Sequence, residues 1–164
     1  MAQEIERKFL VVSDDWRAMS HKKITMRQGY LCNNKHASVR IRIEDQSANI
    51  NIKSMTIGIS RAEYEYSIPV EEATRMLDTL CGTATQVHKE RYLVKHAEKL
   101  WEVDVFLGEN KGLVVAEVEL EDVDEHIDLP SWVGQEVSTI ERYYNMRLSY
   151  YPFSQWSKQE KSTI

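Results

Sequence analysis

Residues 4–11 read EIERKFLV, and they place Glu4, Glu6 and Lys8 at alternate positions of a segment that is otherwise apolar. Neighbouring side chains of a β-strand point to opposite faces, so these three charges share one side while Ile5, Phe9 and Val11 share the other. A strand with two carboxylates and an ammonium on one face borders either bulk water or something that requires charge.

The same period of two recurs through most of the chain. Strands are expected in ITMRQGYLC, ASVRIRIE, NINIK and RAEYEYSI, the last stopped by Pro69, and then in TQVHKERYLVK, LWEVDVFLG and GLVVAEVELE. DDWRAMS (14–20) reads as a short helical turn capped by Asp14 or Ser13. In VEEATRMLDTLCG (70–82) the period changes: Val70, Ala73, Met76, Leu77 and Leu80 fall at helical spacing, acids crowd the first turn, and Gly82 can cap the end. His96 to Lys99 and GENKG (108–112) are turns, and LPSWVGQEV is a turn with a short helix. TIERYYNMRLSYY (139–151) is expected to form a C-terminal helix, and the tail from about 157 to 164 to fray.

The 164 residues, 42% hydrophobic and 29% charged, suit one folded domain without linker or repeat. No run approaches the roughly 18 apolar residues of a membrane helix. The N-terminus lacks a secretory apolar core, so a cytoplasmic location is expected. Cys32 and Cys81 have no CxxC partner, which argues against a zinc or redox motif. A net charge of −5 disfavours general nucleic-acid binding. GENKG lacks P-loop spacing, and the histidines show no HExxH. His36 and His88 read as surface or packing residues.

Sorting the strands by face sharpens the question. Arg40, Arg42 and Glu44 oppose Val39, Ile41 and Ile43; Asn49, Asn51 and Lys53 oppose Ile50 and Ile52. Arg61, Glu63 and Glu65 oppose Tyr64, Tyr66 and Ile68, and Lys89 with Arg91 opposes Tyr92 and Val94. Glu102 and Asp104 oppose Trp101, Val103 and Val105, and Glu117, Glu119 and Glu121 oppose Ala116, Val118 and Leu120. A sandwich or barrel with an apolar interior and solvated charges outside accounts for alternation alone. Charges here are sorted by sign, however: Arg40 with Arg42, Lys89 with Arg91, Glu4 with Glu6, Glu117 with Glu119. Ordinary surfaces intersperse the signs. The apolar faces, with Trp101, Tyr64, Tyr66 and Tyr92, can be covered by the two helices. This favours an inverted barrel whose interior holds a polyanion and whose carboxylates hold a hard divalent cation.

The ordered set of ExExK (Glu4, Glu6, Lys8), QGYL, VRIR, Lys53, SRAEYEY, KERY, EVDVF and AEVEL resembles the CYTH superfamily, the triphosphate tunnel metalloenzymes. The resemblance covers nearly the whole chain and is closest to the small bacterial inorganic triphosphatases. It implies an α+β fold: an eight-stranded antiparallel β-barrel with a charged lumen and helices packed outside. It also implies Mg²⁺ or Mn²⁺ held by Glu4, Glu6, Asp104, Glu117 and Glu119. Phosphate would be gripped by Lys8, Arg40, Arg42, Lys53, Lys89 and Arg91, with Glu63 or Glu65 as a further acidic position. Lys8, Lys89 and Arg91 are also expected in catalysis, with Tyr30 near a catalytic lysine. The implied reaction is hydrolysis of tripolyphosphate. Class IV adenylate cyclase, thiamine or nucleoside triphosphatase, and a non-catalytic polyphosphate- or nucleotide-binding module are the alternatives. A triphosphate substrate and a homodimer are the expected partners.

Overall fold

The computed structural model describes residues 2–55, 59–82 and 86–161. The period-two segments form strands β1 (Ala2–Val11), β2 (Ser20–Asn33), β3 (Ala37–Glu44), β4 (Ser47–Ser54) and β5 (Ser60–Ser67). After helix α1 (Val70–Thr79) come β6 (Gln86–His96), β7 (Lys99–Phe106), β8 (Val114–Glu119) and β9 (Val133–Glu136). Two short helices, α2 (Asn145–Tyr150) and α3 (Lys158–Lys161), follow. The fold is an antiparallel, sheet-rich α+β arrangement with the order β5-β4-β3-β2-β6-β7-β8-β1-β9, and β1 pairs in addition with β5 over Ala2–Ile5.

The apolar faces bury as their alternation requires. Phe9, Val94, Trp101, Val103, Ala116 and Val118 form one cluster, covered by Trp16 from a 3₁₀ turn at Asp15–Met19 and by Ile127 and Trp132 from the long loop before β9. Asp14 occupies the cap position of that turn without a side-chain cap bond, because its carboxylate accepts from Arg17 Nε at 2.9 Å. A second cluster lies where α1 sets Ala73 and Leu77 on Ile41 and Ala48 of β3 and β4. α1 approaches β2 so closely that a Cβ on Gly29 would stand 3.0 Å from both Cys81 Sγ and Leu77 Cδ2. The helix stops at Leu80, still in right-handed helical geometry, rather than being capped at Gly82.

Four expectations require correction. In LPSWVGQEV the turn is present at Ser131–Trp132, but Val133–Glu136 forms the ninth strand instead of a helix: β9 runs beside β1, with Phe9 opposite Glu136 and Val11 opposite Val133, and protects part of that strand's edge. Its close approach suits Gly134, where a Cβ would meet Val12 Cγ1 at 2.4 Å. The segment 139–151 is not one helix. A 3₁₀ turn at Glu141–Tyr143 is separated from α2 by extended Tyr144, whose hydroxyl donates to the Ser138 carbonyl at 2.8 Å. This tertiary anchor overrides a weak aromatic-rich helix signal. Part of the tail expected to fray is the helical turn α3. Tyr64 and Tyr66, expected beneath a helix, are exposed.

A further difference concerns α2. Leu10, Val87, Phe106 and Val115 occupy the same alternate positions as the charges of their strands, and they cluster with Val137, Tyr143, Leu148 and Trp156. The C-terminal segment therefore covers the end of the charged face and not the apolar one. The charged face stops in an apolar floor one step beyond Lys8, Lys89, Asp104 and Glu117.

Candidate active site

Register decides which charges meet. Across β1 and β8, Glu6 stands opposite Glu119 and Lys8 opposite Glu117; across β6 and β7, Arg91 stands opposite Asp104. Across β4 and β5, Lys53 stands opposite Glu63, and across β2 and β3, Tyr30 stands opposite Arg40. Segments far apart in sequence thus bring their charged sides around one chamber of about 600 Å³. Its wall includes Glu4, Glu6, Arg40, Arg42, Lys53, Glu63, Glu65, Lys89, Arg91, Glu117 and Glu119. Lys8 and Tyr30 lie instead on an adjoining chamber of about 220 Å³. Asp104 lines neither and is completely buried behind the cations.

The interior is an alternating charge lattice. Asp104 accepts from Lys89 Nζ at 2.5 Å and from Arg91 Nε and Nη2 at 2.7 and 2.8 Å. Arg91 continues to Glu117 at 2.7 Å and to Glu102, and Glu117 holds Lys8 Nζ at 2.6 Å. Opposite this group, Lys53 pairs with Glu4 at 2.7 Å and Glu63 at 3.0 Å. Asn51, fully buried, donates to Glu63 at 2.8 Å and Glu65 at 2.5 Å. Both acids line the chamber, but Glu63 is the more enclosed, with 16% side-chain exposure against 47% for Glu65. Among the chamber's cations, Arg40 is left with the weakest partners. It is only 6% exposed, its nearest carboxylate is Glu63 at 3.8 Å, and its Nε and Nη2 have no hydrogen-bond partner.

This lattice shifts proton affinities. Burial lowers Lys89 to about 8, with nearby Arg91 acting in the same direction and Asp104 opposing. Burial also favours neutral Asp104 and Glu117. For Asp104 the charges of Arg91 and Lys89 outweigh it, and for Glu117 those of Lys8 and Arg91 do so, holding both below their ordinary values. Arg91, despite burial, is held well above its ordinary value by Asp104, Glu102 and Glu117. Glu102 is raised because burial prevails over Arg91. Burial works against ionisation of Glu63 too, but Lys53 keeps it low.

The five expected metal-binding acids are not gathered into one ligand set: among the described residues no three His, Cys, Asp or Glu side chains are arranged to hold a metal ion. Asp104 in particular is committed to Lys89 and Arg91. Glu4, Glu6 and Glu119 nevertheless present an all-oxygen donor set to the chamber, and the like charges of Glu6 and Glu119 at one register position suit a cation.

Sequence reading missed Glu102, Asn51, Gln28 and Asn145 as parts of the site. Glu102 and Asn51 were legible in principle, two positions from Asp104 and Lys53 on the same faces. Gln28, fully buried and 3.5 Å from the Tyr30 hydroxyl, shares the face of Tyr30. Asn145 lies outside the strands, where no alternation marks it.

The chain belongs to the CYTH domain family, whose model matches residues 2–146. It is 41% identical to an inorganic triphosphatase of Acetivibrio thermocellus, over 96% of this chain and all of that protein. It is 35% identical to an inorganic triphosphatase of Nitrosomonas europaea, over 89% of this chain and 96% of the relative. The crystal structure of the inorganic triphosphatase NE1496 superposes with a TM-score of 0.66 at 30% identity, covering 92% of this chain and 96% of that one.

Proposed function

We propose that this protein is a metal-dependent inorganic triphosphatase that hydrolyses tripolyphosphate to pyrophosphate and phosphate. The observation that carries the reading is Arg40: a buried guanidinium with unsatisfied donors, in the wall of a chamber also lined by Arg42, Lys53, Lys89 and Arg91. A buried cation left without hydrogen bonds is costly, and an anionic ligand relieves that cost. The named activity of both relatives supports the same reaction. The β1–β5 ladder supports reading eight of the nine strands as a closed tunnel around the substrate.

In this reading Arg40, Arg42 and Lys53 bind the phosphate chain from one wall, and Lys89 and Arg91 from another. Lys8 and Tyr30 flank its end at the smaller chamber. Asp104 is a positioning residue that fixes Lys89 and Arg91. Glu4, Glu6 and Glu119, with Glu117 beside them, hold Mg²⁺ or Mn²⁺; both ions accept oxygen donors. A cation held there would supply neutralisation of phosphate charge and activation toward attack by water. Water forms the new bond to the terminal phosphorus and releases a proton to the surrounding solvent, the bridging P–O bond breaks, and pyrophosphate leaves with the bonding electrons. The arginines and lysines stabilise charge on the transferring group, the main work in phosphoryl transfer.

The test is phosphate release from tripolyphosphate and ATP in parallel with Mg²⁺, Mn²⁺ or EDTA, while cyclic AMP is assayed in the ATP reaction. Metal-dependent release from tripolyphosphate is expected, with KM raised in Arg40→Gln. Cyclic AMP production would assign a cyclase instead, and tight binding of tripolyphosphate without turnover would assign a binding module.

A further inference from the structure

The two chambers differ in character and share a boundary. The larger is walled by charges of both signs; the smaller sets Lys8, Lys35, Arg40, Lys53 and Arg147 against Glu141 alone, and adds Tyr30, Met55, Tyr144 and Met146, which offer an organic ring the aromatic and thioether contact that the larger chamber lacks. Arg40, Lys53 and Asn145 line both. Of these three, Asn145 alone is uncharged, and it alone comes from the C-terminal segment. Its Oδ1 lies 3.5 Å from Lys89 Nζ, so the same carboxamide that borders the smaller chamber also accepts from a phosphate-facing ammonium.

Asn145 is firmly placed. The preceding Tyr144 donates through its hydroxyl to the Ser138 carbonyl at 2.8 Å, and the Tyr144 carbonyl accepts from Leu148 N–H at 2.9 Å. Leu148 is buried in the apolar floor, while Arg147 and Glu141 pair at 2.6 Å across the turn. A side chain so anchored at a boundary acts through its volume and its hydrogen bond.

We propose that Asn145 is a specificity-determining residue: its carboxamide separates the phosphate chamber from the smaller chamber and keeps out the organic part of a nucleoside triphosphate. The inference rests on the triphosphatase reading and deepens it by assigning the selection between inorganic and organic triphosphates. Shortening the side chain joins the two chambers, giving a ribose or base a place beside Tyr30 and Tyr144 while the phosphates remain among the cations.

The test compares kcat/KM for tripolyphosphate and ATP in the wild type, Asn145→Ala and Asn145→Gln, with circular dichroism melts as the folding control. Asn145→Ala is expected to shift the ratio toward ATP on the order of tenfold or more, the scale set by small changes of pocket shape. Asn145→Gln, which keeps an amide at the boundary, is expected to retain selectivity for tripolyphosphate. Asn145→Ser carries the same expectation as Ala if Asn145→Ala does not fold. An active wild type with an unchanged ratio in the shortened variants would overturn this inference alone. A wild type that releases phosphate from neither substrate would overturn the triphosphatase reading and the inference with it.

Discussion

Replacing Arg91 by Met tests whether the interior is one coupled charge lattice. The guanidinium contacts Asp104, Glu102 and Glu117, and Asp104 and Glu117 are buried. Met retains much of the stem volume but leaves Asp104 with Lys89 and Glu117 with Lys8. Breaking a buried ion pair by removing one member costs roughly 3–5 kcal/mol. Because one guanidinium serves several acids, the upper part of that range is expected near pH 7. The pH dependence gives the sharper test. In the wild type, Asp104 and Glu117 have folded pKa values below their ordinary ones, so their contribution is present above the unfolded carboxylate range and is lost as pH falls through the folded values. Without Arg91 the acids take up protons more readily, and the stability gap should narrow between pH 7 and pH 4. Urea unfolding at both values, without divalent metal, measures that gap. A loss below about 1 kcal/mol, the scale of an exposed pair, would refute the argument. So would a gap that does not change with pH.

Lys89 should act in the same direction but in an alkaline window. Its folded value of about 8 lies below its ordinary value, so deprotonation from pH 8 upward should raise wild-type stability relative to Lys89→Met, by at most about 3 kcal/mol near pH 10.5. Parallel denaturant titrations read this, and a falling wild-type advantage would contradict it. Gly29→Ala should destabilise by about 1–3 kcal/mol, because its methyl meets Leu77 and Cys81 at 3.0 Å; an unchanged thermal midpoint would refute this. Ala97 sits at φ +50° in the β6–β7 turn, so Ala97→Gly should stabilise by up to about 1 kcal/mol, read from the same melts; a lower midpoint would refute it.

Eight of the nine strands and their two faces were legible in the sequence alone, because alternation is a local property that survives without knowledge of partners; β9, four residues long, was too short to show it. The sequence also singled out Glu4, Glu6, Lys8, Arg40, Arg42, Lys53, Lys89, Arg91, Glu117 and Glu119, whose ordered spacing marks the family. α1 was equally legible from its apolar period, although its last residue was not. Tertiary structure decided register, which no single strand encodes: it set Glu6 against Glu119, Lys53 against Glu63, and placed Asp104 behind the cations rather than in the chamber wall. It also decided the fate of the C-terminal segment. Leu10, Val87, Phe106 and Val115 end the charged faces in an apolar patch, and burying that patch drew Tyr143, Leu148 and Trp156 onto it and brought Asn145 to Lys89. The patch exists only when four strands lie side by side, so the local pattern around residues 139–151 could not disclose it.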